Sequence, residues 1–279
     1  MTVRIVTDST CDLPADLVAE YGITVVPLAI EFAGESLRDG VDIDAAGFYR
    51  RLADAKELPR TSQPTPETFR KAYDSLLDAD GICSVHISTR LSGTLNSARG
   101  GADARADGPP VELVDSRFVG LGLGAIVLEA ARAARDGADL ETVAAVARAA
   151  IDRVDVVVIV DTLDYLHRGG RIGRANKWLG AMLSVKPLIS VHDGEVVPFA
   201  RVRTRAKAID RLVEFAATQQ GAPMMFVAGT ATPAETARLV EQLTPLLPGT
   251  RLIEGNLGPA VGVHTGPGAL GVAPLRAAT

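Results

Sequence analysis

The chain has 279 residues, 47% hydrophobic and 23% charged, within the range of ordinary globular proteins. This excludes a disordered chain, a coiled coil and a small disulfide scaffold, and the length points to about two domains. Lysine and arginine total 29 against 34 acidic residues, a net charge of −5, so nucleic acid is not an expected partner.

Only two cysteines occur, Cys11 and Cys83. They cannot form a stapled framework or a four-ligand zinc site, and they read as reduced thiols of a cytoplasmic protein. The opening Met1-Thr2-Val3-Arg4-Ile5-Val6 reads as a strand, not a secretory signal. The stretch Gly255 to Leu275 is uncharged but holds six glycines and three prolines, so no membrane span is expected. Aromatic residues make up only 4%, which leaves the core to aliphatic side chains.

In chain order, Val3 to Thr7 is a strand ending at Asp8-Ser9-Thr10, and Leu17 to Tyr21 a helix stopped by Gly22. Ile23 to Phe32 is extended, and Pro27 inside it argues for an edge strand or a broken pair. Short helices fit Phe48 to Leu52 and Thr68 to Leu77. Gly81 to Ile87 has the continuous apolar character of a buried strand, and Val111 to Val114 is a shorter one. Ala125 to Asp136 and Leu140 to Ile151 are alanine-rich helices parted by Gly137. Strands alternating with helices indicate a parallel sheet with crossovers, whose ligands sit at the carboxyl ends of strands. Three such ends carry hydroxyl clusters: Asp8-Ser9-Thr10, Ser88-Thr89 and Asp115-Ser116.

The second half differs. Val154 to Val160 is a strand, Val185 to Val202 a hairpin turning at His192-Asp193-Gly194, and Arg205 to Thr218 a helix. Met224 to Ala228, Leu252 to Glu254 and Val261 to Val263 complete a mixed sheet, with a helix over Pro233 to Leu243. The expected division is an N-terminal α/β domain over 1–152, mostly parallel, and a second α/β domain with a mixed sheet over 153–279.

Four segments carry candidate chemistry. In Arg60 to Glu67, Thr65 before Pro66 looks like a helix cap, whereas Thr61 lies too far upstream to cap and is free for a ligand. Ile87 to Ala98 runs from a strand into a helix through Ser92-Gly93-Thr94. That junction is either an ordinary cap or an anion seat at the positive end of the helix. It lacks the Gly-Lys-Ser/Thr of a phosphate loop and the Gly-x-Ser-x-Gly of a nucleophile elbow. Asp161 to Arg174 holds Arg168, Arg171 and Arg174, a phosphate clamp, a partner surface or a solvated loop. Arg201, Arg203 and Arg205 alternate at strand spacing, on one face of a docking patch or a solvent edge. His264 lies in the glycine-rich Val263 to Gly271, as a structural residue or a donor to a carboxylate. The other histidines do not join it at metal spacing, so no metal is expected.

Together these segments resemble the DegV family. The match is carried by Val6-Thr7-Asp8-Ser9-Thr10-Cys11-Asp12-Leu13-Pro14, Asp39-Gly40-Val41-Asp42-Ile43, Thr61 to Glu67 and Leu91-Ser92-Gly93-Thr94. Asp161 to Gly173 and His264 to Gly271 complete it, in family order along the chain. Leu95 and Asn96 depart from it, where many relatives carry an aromatic residue and glutamine.

The resemblance implies a protein that binds a long-chain fatty acid between two α/β domains, as the lipid-binding subunit of a bacterial fatty acid kinase. It implies no cofactor, and no catalytic residue of its own. A separate kinase would phosphorylate the bound carboxylate with ATP, and the acyl phosphate would feed phospholipid synthesis. By the same resemblance Thr61, Ser92, Gly93 and His264 hold the carboxyl group, and Arg171 and Arg201 belong to the surface that meets the kinase. Transient contact with a membrane surface is expected as well. The rival readings are an acyl hydrolase or phosphotransferase acting alone through Ser92 or His264, and a regulator whose partner senses lipid loading.

Overall fold

In the computed structural model, which describes residues 1–179 and 185–278, the first half runs as alternating strands and helices. They are β1 (Val3–Asp8), α1 (Ala15–Glu20), β2 (Thr24–Val26), β3 (Ala29–Phe32), β4 (Glu35–Arg38), α2 (Ala45–Ala53) and β5 (Arg60–Ser62). Then follow α3 (Pro66–Asp74), β6 (Gly81–His86), α4 (Thr94–Asp103), β7 (Val111–Asp115), α5 (Leu121–Arg135) and α6 (Leu140–Ile151). The second half holds β8 (Val157–Ile159), α7 (Asp164–Arg168), β9 (Lys186–His192), β10 (Glu195–Val202), α8 (Arg205–Ala217) and β11 (Met224–Gly229). It ends with α9 (Pro233–Leu243), β12 (Arg251–Asn256), α10 (Pro259–Thr265) and β13 (Leu270–Leu275).

The first sheet is parallel throughout, in the order β2-β1-β6-β7. Helices cover both of its faces, which is why all six residues of β6 are buried and its sequence shows no alternation. The second sheet is mixed, β10-β9-β8-β13-β11-β12, with only the β11–β12 pair parallel. The α/β class, the parallel first sheet and the mixed second sheet are as the sequence implies.

Pro27 has the larger consequence. With no N–H to give a ladder, it ends β2 at the edge of the parallel sheet. The chain then leaves that sheet, and β3 becomes the centre of a third, antiparallel sheet, β4-β3-β5. This small sheet sets Thr61 opposite Ile30. Next, Thr65 caps α3 by accepting from the Thr68 N–H at 3.2 Å, with Pro66 at the first helical position.

Helix α5 joins the halves. It packs on β1 and β6 on one side and on β11 and β13 on the other. Its residues from Leu121 to Leu128 are all buried, so that half carries no polar stripe. A Cβ at Gly124 would lie 2.5 Å from the Cys11 carbonyl, so only glycine lets the helix come this close. The largest hydrophobic cluster accordingly runs through both sheets, from Val3 and Val85 to Phe226 and Ala273.

Two expectations need correcting. Val261-Gly262-Val263 is not a strand: it lies inside α10, which starts at Pro259 and is buried nearly all round, so no helical periodicity shows. The strand that completes the mixed sheet is β13, between β8 and β11. Arg201, Arg203 and Arg205 do not share a strand face, because β10 stops at Val202 and Arg205 opens α8. The Arg205 guanidinium pairs with Glu235 at 2.6 Å and donates to the Gly268 carbonyl at 2.6 Å.

Candidate functional site

A cavity of about 290 Å³ lies where the two large sheets and the small sheet meet. Its walls are mostly aliphatic: Leu28, Ile87, Leu91, Val119 and Leu121 from the first half, and Val156, Val158, Leu166, Ile189, Val191, Val196, Leu257 and Val261 from the second. Thr61, Ser62, Gln63, Ser92, Arg171 and His264 are its main polar lining groups.

Several of these polar groups are linked to one another. Thr61 Oγ1 lies 2.9 Å from His264 Nε2, a contact between β5 and the end of α10. The Arg171 guanidinium is half-buried and held by two backbone carbonyls, Leu91 at 3.1 Å and Gly169 at 2.7 Å. Leu91 immediately precedes Ser92, so Arg171 ties the Ser92 loop to the His264 side. Burial, reinforced by the charge of Arg171, pushes the His264 imidazole down to about 4, so the ring is neutral at neutral pH. Ser92 Oγ is 2.8 Å from Thr94 Oγ1, at the start of α4.

Gly93 is placed differently from Ser92. It is the N-cap of α4, with no capping side chain, and it sits behind Gln63 instead of lining the cavity. Gln63 folds across it and donates to Ser97 Oγ at 2.9 Å. Arg201 also lies apart from the cavity, exposed, its guanidinium 5.0 Å from the ring centre of Trp178.

Of the three strand-end hydroxyl clusters, only the first reaches the cavity, through Thr10. Ser88 donates to the Gly194 carbonyl at 2.9 Å, Thr89 to Asp115 at 2.5 Å and Ser116 to the Phe118 carbonyl at 3.2 Å. Those hydroxyls are committed to the fold.

Two acidic clusters beside the cavity escaped sequence reasoning, although their residues stand in the segments quoted above. In the first, Asp8 accepts from the Thr10 N–H and hydroxyl through one oxygen, and from the Ile87 N–H and His86 Nδ1 through the other. His86 Nε2 then meets Ser84 Oγ at 2.7 Å, and Tyr73 closes the chain at 2.9 Å. In the second, Asp12 accepts from the Gly258 N–H at 2.8 Å, and the buried Asp39 lies close by, beside Ser9 and Ala260. Asp12 thereby holds the start of α10, the helix that carries His264.

Burial, opposed by the neighbouring Ser9 hydroxyl and Ala260 N–H and reinforced a little by Asp8, brings the Asp39 carboxyl from 3.8 to about 6. Burial, then Asp39 and Asp8, pushes Asp12 up as well. A carboxyl raised in the folded state favours folding most when protonated, below about 4, and that contribution is lost as pH rises through about 6. We expect wild type to lose up to about 3 kcal/mol relative to Asp39→Asn between pH 4 and pH 7. Urea midpoints of both proteins at the two pH values check this, and parallel pH profiles would contradict it.

Comparison with known proteins agrees with this architecture. The profile of the family described as "Uncharacterised protein, DegV family" matches residues 2–276. The DegV domain-containing protein SCO2569 of Streptomyces coelicolor is 39% identical over 275 residues, covering 97% of both chains. Among solved structures, a fatty-acid-binding DegV family protein from Thermus thermophilus superposes with a TM-score of 0.91 at 34% identity, covering 99% of this chain and 100% of that one. A stearic-acid-binding protein from Eubacterium ventriosum gives 0.90 at 27% identity, covering 99% and 98%. With the family profile matched almost end to end, the chain belongs to the DegV family.

Proposed function

We propose that this protein binds a long-chain fatty acid in the cavity, between domains spanning 1–152 and 153–279. Thr61, Ser92 and His264 seat its carboxyl group, with Gly93 opening the first turn of α4 behind them. The observation that carries this reading is an aliphatic cavity with Thr61, His264, Arg171 and the Ser92 loop linked along one side. Fatty-acid-binding relatives of the same fold support it.

The energetics suit an acyl chain. Each buried methylene contributes about 0.8 kcal/mol, so fourteen give on the order of 11 kcal/mol before association and ordering costs. A carboxylate taken out of water needs donors, which the two hydroxyls supply, with the neutral imidazole bonded behind Thr61 and Arg171 as a counter-charge.

The head group then serves a partner. In our reading a separate cytoplasmic kinase phosphorylates the carboxylate with ATP, and the acyl phosphate supplies phospholipid synthesis. Arg171, in the cavity wall, and the exposed Arg201 would meet that kinase and its phosphates. A stand-alone hydrolase is less well supported. His264 bonds Thr61 and not Ser92, while Ser84–His86–Asp8, which has the composition of a catalytic triad, is fully buried.

Titration with a fluorescent long-chain fatty acid tests the reading. Ser92→Ala and His264→Ala are expected to weaken binding about tenfold each. Arg201→Glu is expected to bind as wild type yet lose acyl phosphate formation when kinase and ATP are added. Unchanged affinity in both head-group variants would remove the seat, and undiminished acyl phosphate in Arg201→Glu would remove the docking face.

A further inference from the structure

Gly169 follows α7 at φ −76° and ψ −7°, a conformation open to any residue. Its own backbone therefore does not call for glycine. His264 does: a Cβ at position 169 would lie 2.2 Å from Nδ1 and 2.9 Å from Cε1 of the imidazole. The Gly169 carbonyl also accepts from Arg171 Nη1 at 2.7 Å. One residue thus places both the ring and the guanidinium.

The ring's two nitrogens face unlike surroundings. Nε2 is 2.9 Å from Thr61 Oγ1, whereas Nδ1 is buried and has no hydrogen-bond partner among the described residues. A neutral imidazole carries one proton. On Nδ1 it would leave a buried N–H orphaned against Gly169; on Nε2 it is satisfied by Thr61, and only a lone pair goes unmet. Orphaned buried N–H groups are rare, so the second arrangement is favoured.

We propose that Gly169 is a positioning residue that holds His264 as the Nε2–H tautomer, so that His264 donates to Thr61 and Thr61 turns its own hydroxyl hydrogen into the cavity. Thr61 is then the direct donor to the ligand's carboxylate, and His264 acts through it. Only that last step rests on the fatty-acid reading above.

Long-range proton–nitrogen NMR spectra of the ligand-free protein at pH 7 are expected to show Nε2 protonated and Nδ1 bare. Gly169→Ala, which the local φ and ψ permit and which would bring the Cβ 3.1 Å from the Tyr165 carbonyl as well as onto the ring, is expected to disturb that signature and weaken fatty-acid binding about tenfold. In a His264→Ala background the same substitution is expected to change affinity by roughly twofold or less, since the clash has gone. A protonated Nδ1 in the wild type, or an equal loss in both backgrounds, overturns the proposal. A wild type that binds no fatty acid overturns the Thr61 step together with the function, while the spectra still decide the tautomer.

Discussion

Val191→Trp is expected to lower affinity for a sixteen- or eighteen-carbon fatty acid by about a hundredfold or more. Val191 lies on β9, is only partly buried and lines the cavity wall opposite the first half of the chain. An indole there grows into free space, so the fold bears little strain while the space for the acyl chain shrinks. Excluding about four methylenes removes about 3 kcal/mol, which corresponds to the hundredfold loss. The loss should grow with chain length, and an eight-carbon acid should bind nearly as well as to wild type. Isothermal titration with both acids measures this; an equal effect on both would mean that the chain does not run past Val191.

Asp8→Ala carries the largest expected effect on stability. Asp8 is fully buried at the end of β1, and its two oxygens accept four hydrogen bonds. Removing them strands the N–H groups of Thr10 and Ile87 and one nitrogen of His86, all away from water. At about 1 kcal/mol or more for each stranded group, the variant should lose about 3–4 kcal/mol. For a chain of this size that is a fall of about 8 °C in Tm. Asp8→Asn should lose less, because the amide keeps one acceptor oxygen. Thr10 and Ile87 also line the cavity, so ligand affinity should fall with stability. A loss below about 1 kcal/mol would show that Asp8 does not organise this corner.

How much of this was legible depended on whether an element's surroundings leave a mark on its composition. β6 and β11 are buried runs and announce themselves, as do the alanine-rich α5 and α6. Proline showed where Ile23 to Phe32 must break, but not that β3 would found a new sheet with β5, whose Arg60-Thr61-Ser62 has no apolar pattern. The segment 259–265 misled because burial on nearly every side erases the polar stripe that marks a helix.

The site divides the same way. The hydroxyls of Thr61 and Ser92 and the imidazole of His264 could each be singled out from their own segments, but not which of them meet, because 203 positions separate the hydrogen-bonded Thr61 and His264. Gly169 gave no signal: its backbone is ordinary, and the closest contacts a Cβ would make there are with a ring folded against it. The Asp12–Asp39 pair was equally silent, since exposed and buried aspartates look alike in sequence.

The most direct test is a crystal structure of the protein with a saturated long-chain fatty acid. The account expects one extended acyl chain among Leu121, Val158, Ile189 and Val196, with its carboxylate within hydrogen-bond distance of Thr61 Oγ1 and Ser92 Oγ. A chain lying outside this space, or a carboxylate at the opposite end from His264, would contradict it.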